Sequence, residues 1–147
     1  YSGVGLSHQS NGQSEPLSRS WNRAYLMTGI ELDNRWRVQA KVWQRISEEA
    51  SSDDNPGISD YVGRGEISAF WNVNQDNTLG LTVRNSLANK ARGSARLEWL
   101  QALGTGLGGG KSNLRLHTQL FSGYGDSLID YNRRRTVFTV GLSLVDF

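Results

Sequence analysis

Three polar side chains near the start of the chain have the types and spacing that acyl-transfer chemistry requires. His8 and Ser10 lie two residues apart, and Asn22 follows beyond a polar loop. In nucleophilic catalysis a serine hydroxyl attacks a carbonyl carbon, a histidine takes its proton as general base, and a third group orients the imidazole. Asparagine can fill the third position, although its neutral amide stabilises an imidazolium less than a carboxylate does. A histidine and a serine beside a loop can equally be solvated residues of a hydrophilic turn.

A β-hairpin would bring these residues together. With a turn centred on Glu15, His8 lies opposite Asn22, and the same register places Ser10 opposite Ser20. Residues i and i+2 of a strand share a face with Cα atoms about 6.6 Å apart, and directly opposed residues have Cβ atoms about 4.5–5.5 Å apart. The imidazole is long enough to contact both neighbours. This register is the geometry that a Ser10–His8–Asn22 triad on the apolar face of the hairpin requires, and at this point a solvated turn is an equal alternative.

The whole chain alternates apolar and polar residues with the period of two that is typical of half-buried strands. The pattern predicts eight strands, at residues 1–10, 19–32, 35–47, 60–73, 77–87, 91–102, 112–123 and 134–146. The connections 32–35 and 74–77 are short turns, whereas the loops 11–18, 48–59 and 123–133 are long, polar and acidic. The glycine-rich segment 104–110 is a long connection on the short-turn side.

Two folds fit this pattern. In a soluble antiparallel sandwich the apolar parity would form a core, whereas in a transmembrane barrel it would face lipid. The predicted strands are longer than the five or six residues usual in soluble sheets and match the ~9–11 residues that cross a bilayer at a tilt. Short turns at one end and long loops at the other are typical of outer-membrane barrels, which leave no strand edge unpaired in lipid. The sequence therefore favours an all-β, antiparallel up-and-down transmembrane β-barrel.

The polar parity carries more basic than acidic side chains. Charges in this number cannot fill a dry sandwich core without extensive pairing, whereas a polar barrel lumen can hold them. The residues concerned are Arg23, Arg35, Arg37, Lys41, Arg64, Arg84, Arg96 and Arg115, against Glu31, Glu66 and Glu98. We hypothesise that their acidic partners lie on strands outside this chain.

Composition excludes several other classes. The 147 residues suit one domain, and the absence of cysteine excludes disulfide and thiolate chemistry. The net charge is only +2, and the basic residues are spread along the chain except at 133–135, so no nucleic-acid stripe is indicated. No apolar segment approaches the ~20 residues of a transmembrane helix. Tyr1 opens directly on the strand pattern, which suggests a mature chain or a fragment, here expected to be one β-barrel domain over residues 1–147.

Three segments carry a resemblance to a known family. HQSNGQSEPLSRSWNR (residues 8–23) and SGYGDSLIDYN (122–132) strongly resemble bacterial outer membrane phospholipase A, and SDDNPGISDYVG (52–63) is similar to that family's next outer loop. The similarity runs from about residue 1 to Phe147. It implies a twelve-stranded outer-membrane barrel, active as a homodimer, that hydrolyses phospholipid acyl esters with calcium. This chain would supply the last eight strands, with the triad of His8, Ser10 and Asn22 facing the outer leaflet.

The resemblance also implies two calcium sites. Gln13, through its backbone carbonyl, and Ser18, through its hydroxyl, fall on the catalytic calcium positions, while Glu15 and Asp54 fall on a second site built from carboxylates. Gln13 stands where the family has arginine, and Glu15 replaces aspartate and is longer by one methylene group. A calcium ligand from the partner chain and part of the dimer surface would lie on the four strands that this chain lacks.

The acidic residues agree with calcium independently of the resemblance. Of the fourteen in the chain, eight lie in or beside the long loops: Glu15, Glu48, Glu49, Asp53, Asp54, Asp60, Asp126 and Asp130. Calcium prefers such hard oxygen ligands. Loop carboxylates can also be ordinary solvated charge or bind divalent ions that bridge lipopolysaccharide, and for Asp126 and Asp130 we prefer this interpretation.

Two other functions stay open at this point. A non-catalytic outer-membrane barrel could act as a pore or scaffold, with its inward arginines lining a path for anions. A soluble carbohydrate-binding sandwich is the remaining alternative.

Overall fold

The computed structural model describes residues 1–49, 51, 53–88, 90, 92–104 and 113–144. Within them, eight strands form one antiparallel sheet in which each strand pairs with the next along the chain. The strands are β1 (Ser2–Ser10), β2 (Ser20–Leu32), β3 (Trp36–Ile46), β4 (Gly65–Asn72), β5 (Asn77–Asn85), β6 (Gly93–Ala102), β7 (Leu114–Gly123) and β8 (Arg135–Leu144), with a short helix α1 (Ile58–Val62) between β3 and β4. No helix in the described part of the chain is long and apolar enough to span a membrane.

The predicted strands are present, with one correction at the start of β4. Residues 60–64 were expected to be extended, but α1 ends at Val62 and the strand begins only at Gly65. Gly63 has a φ of 109°, a conformation that side chains rarely adopt and that separates the helix from the strand. Ile58 and Val62, four residues apart, are both buried, as the helical period requires. The end of the eighth predicted strand and residues 105–110 of the glycine-rich connection lie outside the described residues.

The outward face of the sheet is apolar. Val4 and Leu6 are 79% and 76% exposed. The other exposed apolar side chains on this face include Leu26, Ile30, Val42, Ile67, Leu79, Leu81, Val83, Leu97, Trp99, Leu120, Phe138, Val140, Leu142 and Leu144. A sandwich would cover this face with a second sheet, but all eight described strands belong to one sheet. The soluble-sandwich interpretation is therefore wrong, and an apolar outer band is what a lipid-facing barrel wall presents.

The inward face is polar, and several of its basic side chains find partners within this chain. Arg84 pairs with Glu66 at 2.5 Å, and the Arg23 guanidinium lies 4.1 Å from the centre of the Trp21 ring. Arg115 donates to the backbone carbonyls of the turn at 75–76. Carboxylates, an aromatic ring and backbone oxygens thus satisfy part of the basic excess. The hypothesis of acidic partners on other strands is not needed for these three side chains.

A small apolar cluster lies on the inward face at the end of the sheet that carries the long loops. It consists of Trp21, Trp43, Ile58 and Val62, with Tyr25, Leu128 and Tyr131 packed against it. Trp21 and Ile58 are completely buried. The cluster ties the ends of β2 and β3 to α1 and to the loop before β8, and so it holds the end of β2 that carries Asn22.

Candidate active site

The register of the first hairpin is the predicted one. β1 and β2 pair without interruption from Ser2↔Thr28 to Ser10↔Ser20, and His8 lies directly opposite Asn22. His8 and Ser10 share the exposed outward parity with Val4 and Leu6. The register prediction is confirmed, and both side chains lie on the outward, apolar face of the sheet.

The alternation of hydrogen-bonded and non-hydrogen-bonded pairs along this hairpin explains why the side chains of His8 and Asn22 are in contact. At one end, Tyr1 and Gly29 exchange both backbone hydrogen bonds, at 3.0 and 2.9 Å. At the other end, the Asn11 N–H donates to the Arg19 carbonyl at 3.1 Å. Hydrogen-bonded and non-hydrogen-bonded pairs alternate along an antiparallel ladder. His8 and Asn22 therefore form a non-hydrogen-bonded pair, the type in which Cα atoms approach to ~4.5 Å and side chains are closest.

The Asn22 side chain makes two hydrogen bonds. Its Oδ1 lies 2.9 Å from His8 Nδ1, and its Nδ2 donates to Glu48 Oε1 at 3.1 Å. When Nδ1 carries the ring proton and donates to Oδ1, Nε2 is left with a lone pair, which is the tautomer a general base needs.

Ser10 completes the outward group of three. Its hydroxyl is exposed and forms no hydrogen bond with His8 in the part of the chain that the structure describes. A nucleophile–base hydrogen bond often tightens only when substrate is bound. Ser10 pairs with Ser20 in a non-hydrogen-bonded position, so its backbone N–H points away from β2 toward the outer edge of β1. That N–H takes no part in the β1–β2 ladder.

The loop between β1 and β2 is organised by Asn11. Its Nδ2 donates to the Leu17 carbonyl at 2.8 Å, and its Oδ1 accepts from the backbone N–H groups of Gln13 and Arg19. The Arg19 guanidinium donates to the carbonyls of residues 16 and 18. Backbone oxygens of this loop thus bind the cationic group of Arg19.

The predicted calcium ligands are distributed around this loop. Gln13 and Glu15 are exposed, and Ser18 is half-buried; the Glu15 side chain forms no hydrogen bond or ion pair with another described residue. The Asp54 carboxylate accepts a hydrogen bond from the N–H of Ser20, two residues after Ser18, at 3.3 Å. Among the described residues, no three acidic or histidine side chains are grouped as a metal site. A cation here would depend on carbonyl and hydroxyl oxygens together with single carboxylates, a donor set that suits calcium.

Arg45 fastens the loop between β3 and α1. Its guanidinium lies 2.6 Å from the Asp53 carboxylate and 2.9 Å from Asn55 Oδ1, and the buried Asn55 amide in turn donates to the Ser20 carbonyl at 2.8 Å. The side chains of Arg45 and Asp53 are 10% and 14% exposed. The Arg45 hydrogen bond lowers the pKa of Asp53 below its ordinary value, helped by the Asn55 N–H and opposed by burial. This network holds Asp54 beside the start of β2.

Sequence reasoning counted Glu48 only as one of several loop carboxylates. Asn22 pairs with Ile46, the last residue of β3. Glu48 lies two positions beyond Ile46 and therefore shares its parity. Extending the β2–β3 register by two residues would have identified Glu48 as a neighbour of Asn22.

The chain is similar to known phospholipases. A family model described as Phospholipase A1 matches residues 1–144. The chain is 39% identical to phospholipase A1 of Salmonella typhimurium and 38% identical to that of Escherichia coli K12, in each case over 97% of this chain and 45% of the relative. A putative phospholipase A1 of Neisseria meningitidis serogroup B is 36% identical over 98% of this chain and 36% of the relative. The chain thus spans less than half the length of these relatives.

Solved structures give the same result. Outer membrane phospholipase A from Escherichia coli superposes with a TM-score of 0.82 at 35% identity, covering 97% of this chain and 52% of that one. A Salmonella typhi outer membrane phospholipase dimer with bound calcium superposes with a TM-score of 0.82 at 35% identity, covering 97% and 51%. A variant of the E. coli protein in which an asparagine is replaced by alanine is described as an active-site mutant. The predicted antiparallel β-barrel class is confirmed, with these eight strands as part of the barrel. The chain belongs to the phospholipase A1 family.

Proposed function

We propose that the protein containing this chain is a calcium-dependent phospholipase of the outer membrane, of the A1/A2 type, that hydrolyses phospholipid acyl esters through Ser10, His8 and Asn22. The observation that carries the proposal is the 2.9 Å contact between His8 Nδ1 and Asn22 Oδ1. It occurs beside Ser10 on the exposed apolar face, where a lipid ester can reach it. The names of the relatives, and the asparagine variant described as an active-site mutant, support the same assignment.

The reaction follows from these three side chains. The Ser10 Oγ attacks the acyl carbonyl carbon, and its proton passes to His8 Nε2. Asn22 Oδ1 accepts the hydrogen bond from His8 Nδ1 and so holds the imidazole ring in one orientation. His8 then gives the proton to the departing lysophospholipid oxygen, and a water molecule activated by the same histidine hydrolyses the acyl-serine ester. The Ser10 backbone N–H, unused by the β1–β2 ladder, would bind the oxygen that gains negative charge.

The position of the triad matches a membrane substrate. His8 and Ser10 lie at the long-loop end of β1, and Val4 and Leu6 continue the same face toward the other end. Long loops face the outside in outer-membrane barrels. The active site would therefore lie at the level of the outer leaflet, where ester groups are located, with acyl chains lying against the apolar strip below it.

Calcium fits the oxygen-rich surroundings of the site. The Gln13 carbonyl and the Ser18 hydroxyl would hold the catalytic ion, and Glu15 and Asp54 a second one. When bound, calcium supplies positive polarisation of the substrate carbonyl through a coordinated water. The related S. typhi structure is a dimer with bound calcium, which supports both calcium and a homodimer for the whole protein.

The alternative of a pore or scaffold has less support. The inward face at the loop end is packed with the Trp21–Trp43–Ile58–Val62 cluster, and a pore gives no reason for a histidine–asparagine contact on the lipid-facing side.

Replacing the nucleophile tests the proposal. In the full-length protein with calcium, Ser10→Ala should abolish phospholipid hydrolysis and leave the barrel folded. The matched control is Ser2→Ala, because Ser2 lies on the same strand and the same face about 26 Å away. The measurement is release of fatty acid from phospholipid micelles, with circular dichroism as the test of folding. Turnover retained by folded Ser10→Ala would end the assignment of the triad.

A further inference from the structure

We infer that Glu48 is a positioning residue for the triad, and this inference rests on the proposed function. Glu48 Oε1 accepts a hydrogen bond from Asn22 Nδ2 at 3.1 Å, while the other end of the same amide, Oδ1, lies 2.9 Å from His8 Nδ1. The three side chains form a continuous line on the outward face. Glu48 acts on the histidine only through Asn22.

The chemistry of a carboxylate makes this contact selective. A side-chain amide has a donor end and an acceptor end, and rotation by 180° exchanges them with little change of shape. An ionised carboxylate has no proton to donate and can only accept. Glu48 therefore binds only the Nδ2 end of Asn22, and the Oδ1 end is left facing His8.

The orientation of the amide decides whether His8 can act as a base. With Oδ1 facing the ring, Nδ1 must carry the proton, and Nε2 keeps the lone pair that takes the Ser10 proton. With the amide reversed, Nδ2 would donate to Nδ1, and the ring proton would sit on Nε2. That tautomer cannot accept a proton from serine. Glu48 thus selects the productive tautomer without contacting the ring or the substrate.

The fold holds Glu48 in place. Asn22 pairs with Ile46 at the end of β3, so Glu48 follows two residues later on the same side. Downstream, Arg45 binds both Asp53 and Asn55, and the Asn55 amide donates to the backbone of β2. Ile46 before Glu48 and Asp53 after it are thus each held by contacts with neighbouring residues, and the Glu48 side chain itself is half-buried.

The first test compares two substitutions in the full-length protein, assayed on phospholipid micelles with saturating calcium. Glu48→Ala should lower kcat by about tenfold with KM unchanged, since one hydrogen bond to a charged group is lost and substrate contacts are not. Glu48→Gln can still accept the same bond, but its amide can also turn and donate, so part of the selection is lost and kcat should fall between the values of Glu48→Ala and wild type. Glu49→Ala removes the same charge one residue away and is the control. A wild-type kcat in Glu48→Ala, or a loss of the same size in Glu49→Ala, would overturn the inference.

The second test is a double-mutant cycle with Asn22→Ala. Because Glu48 acts through Asn22, Glu48→Ala should cause no further loss of kcat in the Asn22→Ala background. Equal losses in both backgrounds would show an independent effect and contradict the inference. Ser10→Ala distinguishes a failure of the role of Glu48 from a failure of the proposed function. If Ser10→Ala is inactive and the cycle is additive, only the role of Glu48 fails; if Ser10→Ala is active, the proposed function fails.

Discussion

At the scale of single residues, the neutral side chain at position 22 has a physical reason. Asn22 lies between an imidazole and a carboxylate and makes a different hydrogen bond to each. An aspartate there would bring two carboxylates to hydrogen-bond distance, and like charges so close cannot both ionise. The amide instead accepts from His8 and donates to Glu48. The presence of Glu48 therefore favours asparagine over aspartate as the third member of the triad.

This reasoning predicts a compensating pair of substitutions. Asn22→Asp should lower kcat, because Glu48 then loses its donor and faces a second negative charge. Adding Glu48→Gln should restore much of the activity, because the glutamine amide donates to the new carboxylate. The measurement is kcat of the full-length single and double variants at neutral pH. A double variant no better than Asn22→Asp alone would contradict this account.

The proposed ion site makes a second prediction at this scale. Ser18→Ala removes one hydroxyl ligand and should raise the free calcium concentration for half-maximal activity by roughly tenfold, which corresponds to about 1.4 kcal/mol. Ser14→Ala, in the same loop but outside the proposed ligand set, is the control. The assay is hydrolysis against buffered free calcium. An unchanged calcium dependence in Ser18→Ala would remove Ser18 from the site.

At the scale of elements, strands and their register were predictable, whereas loop contacts were not. Each strand has one clearly apolar parity, and a slip by one residue would turn every side chain to the opposite face. This is why the pairing of His8 with Asn22 could be predicted from the sequence. The helix α1 has only five residues, too few for a periodic signal, and its first two residues were predicted as loop and its last three as strand. The contacts of Arg45 and Glu48 depend on the path of a loop backbone, which alternation does not describe.

The Arg45–Asp53 pair makes the long β3–α1 loop sensitive to acid. The pKa of Asp53 is lowered in the folded protein, so its stabilising effect is fully present above the ordinary aspartate pKa of about 3.9. The effect is lost as the pH falls through the lower folded value. Asp53→Asn should therefore destabilise the protein by about 1–3 kcal/mol at pH 7. This difference from wild type should shrink as the pH falls below about 4.

Thermal unfolding in detergent from pH 7 to pH 3 measures this difference. The control is Asp60→Asn, which breaks the Asp60–Arg64 ion pair, where the Asp60 side chain is 56% exposed. Exposed pairs contribute at most about 1 kcal/mol, so this variant should unfold close to wild type. A constant difference between wild type and Asp53→Asn at every pH would show that the carboxylate charge is not what stabilises the loop.

At the scale of the whole molecule, the sheet is polar inside and apolar outside. A row of outward side chains crosses the last four strands, where Leu81 pairs with Leu97, Leu97 with Leu120, and Leu120 with Phe138. All four are exposed. Leu81 and Leu97 lie at the middle of their strands, and Leu120 and Phe138 lie one to two residues nearer the loop end, so the row should lie near the centre of the bilayer.

A matched pair of substitutions on β7 tests this arrangement. Leu120→Arg should destabilise folding into lipid by about 2–4 kcal/mol, the cost of an arginine at the bilayer midplane. Gln119→Arg places the same charge one residue earlier, on the inward side opposite Glu98, and should have little effect. Denaturant titration of the full-length protein in phospholipid vesicles measures both. Equal destabilisation by the two variants would contradict the assignment of the faces.

The outward placement of His8 and Ser10 also sets which concentration governs the proposed reaction. A phospholipid that reaches Ser10 by diffusing in the plane of the membrane never passes through bulk water. Its encounter rate then depends on the mole fraction of substrate in the surrounding leaflet, not on its amount per volume of solution. Mixing the substrate with an inert detergent, at constant bulk concentration, should lower the rate in proportion to this surface dilution. The KM of such an enzyme is therefore a surface density, the number of substrate molecules per unit area of the leaflet.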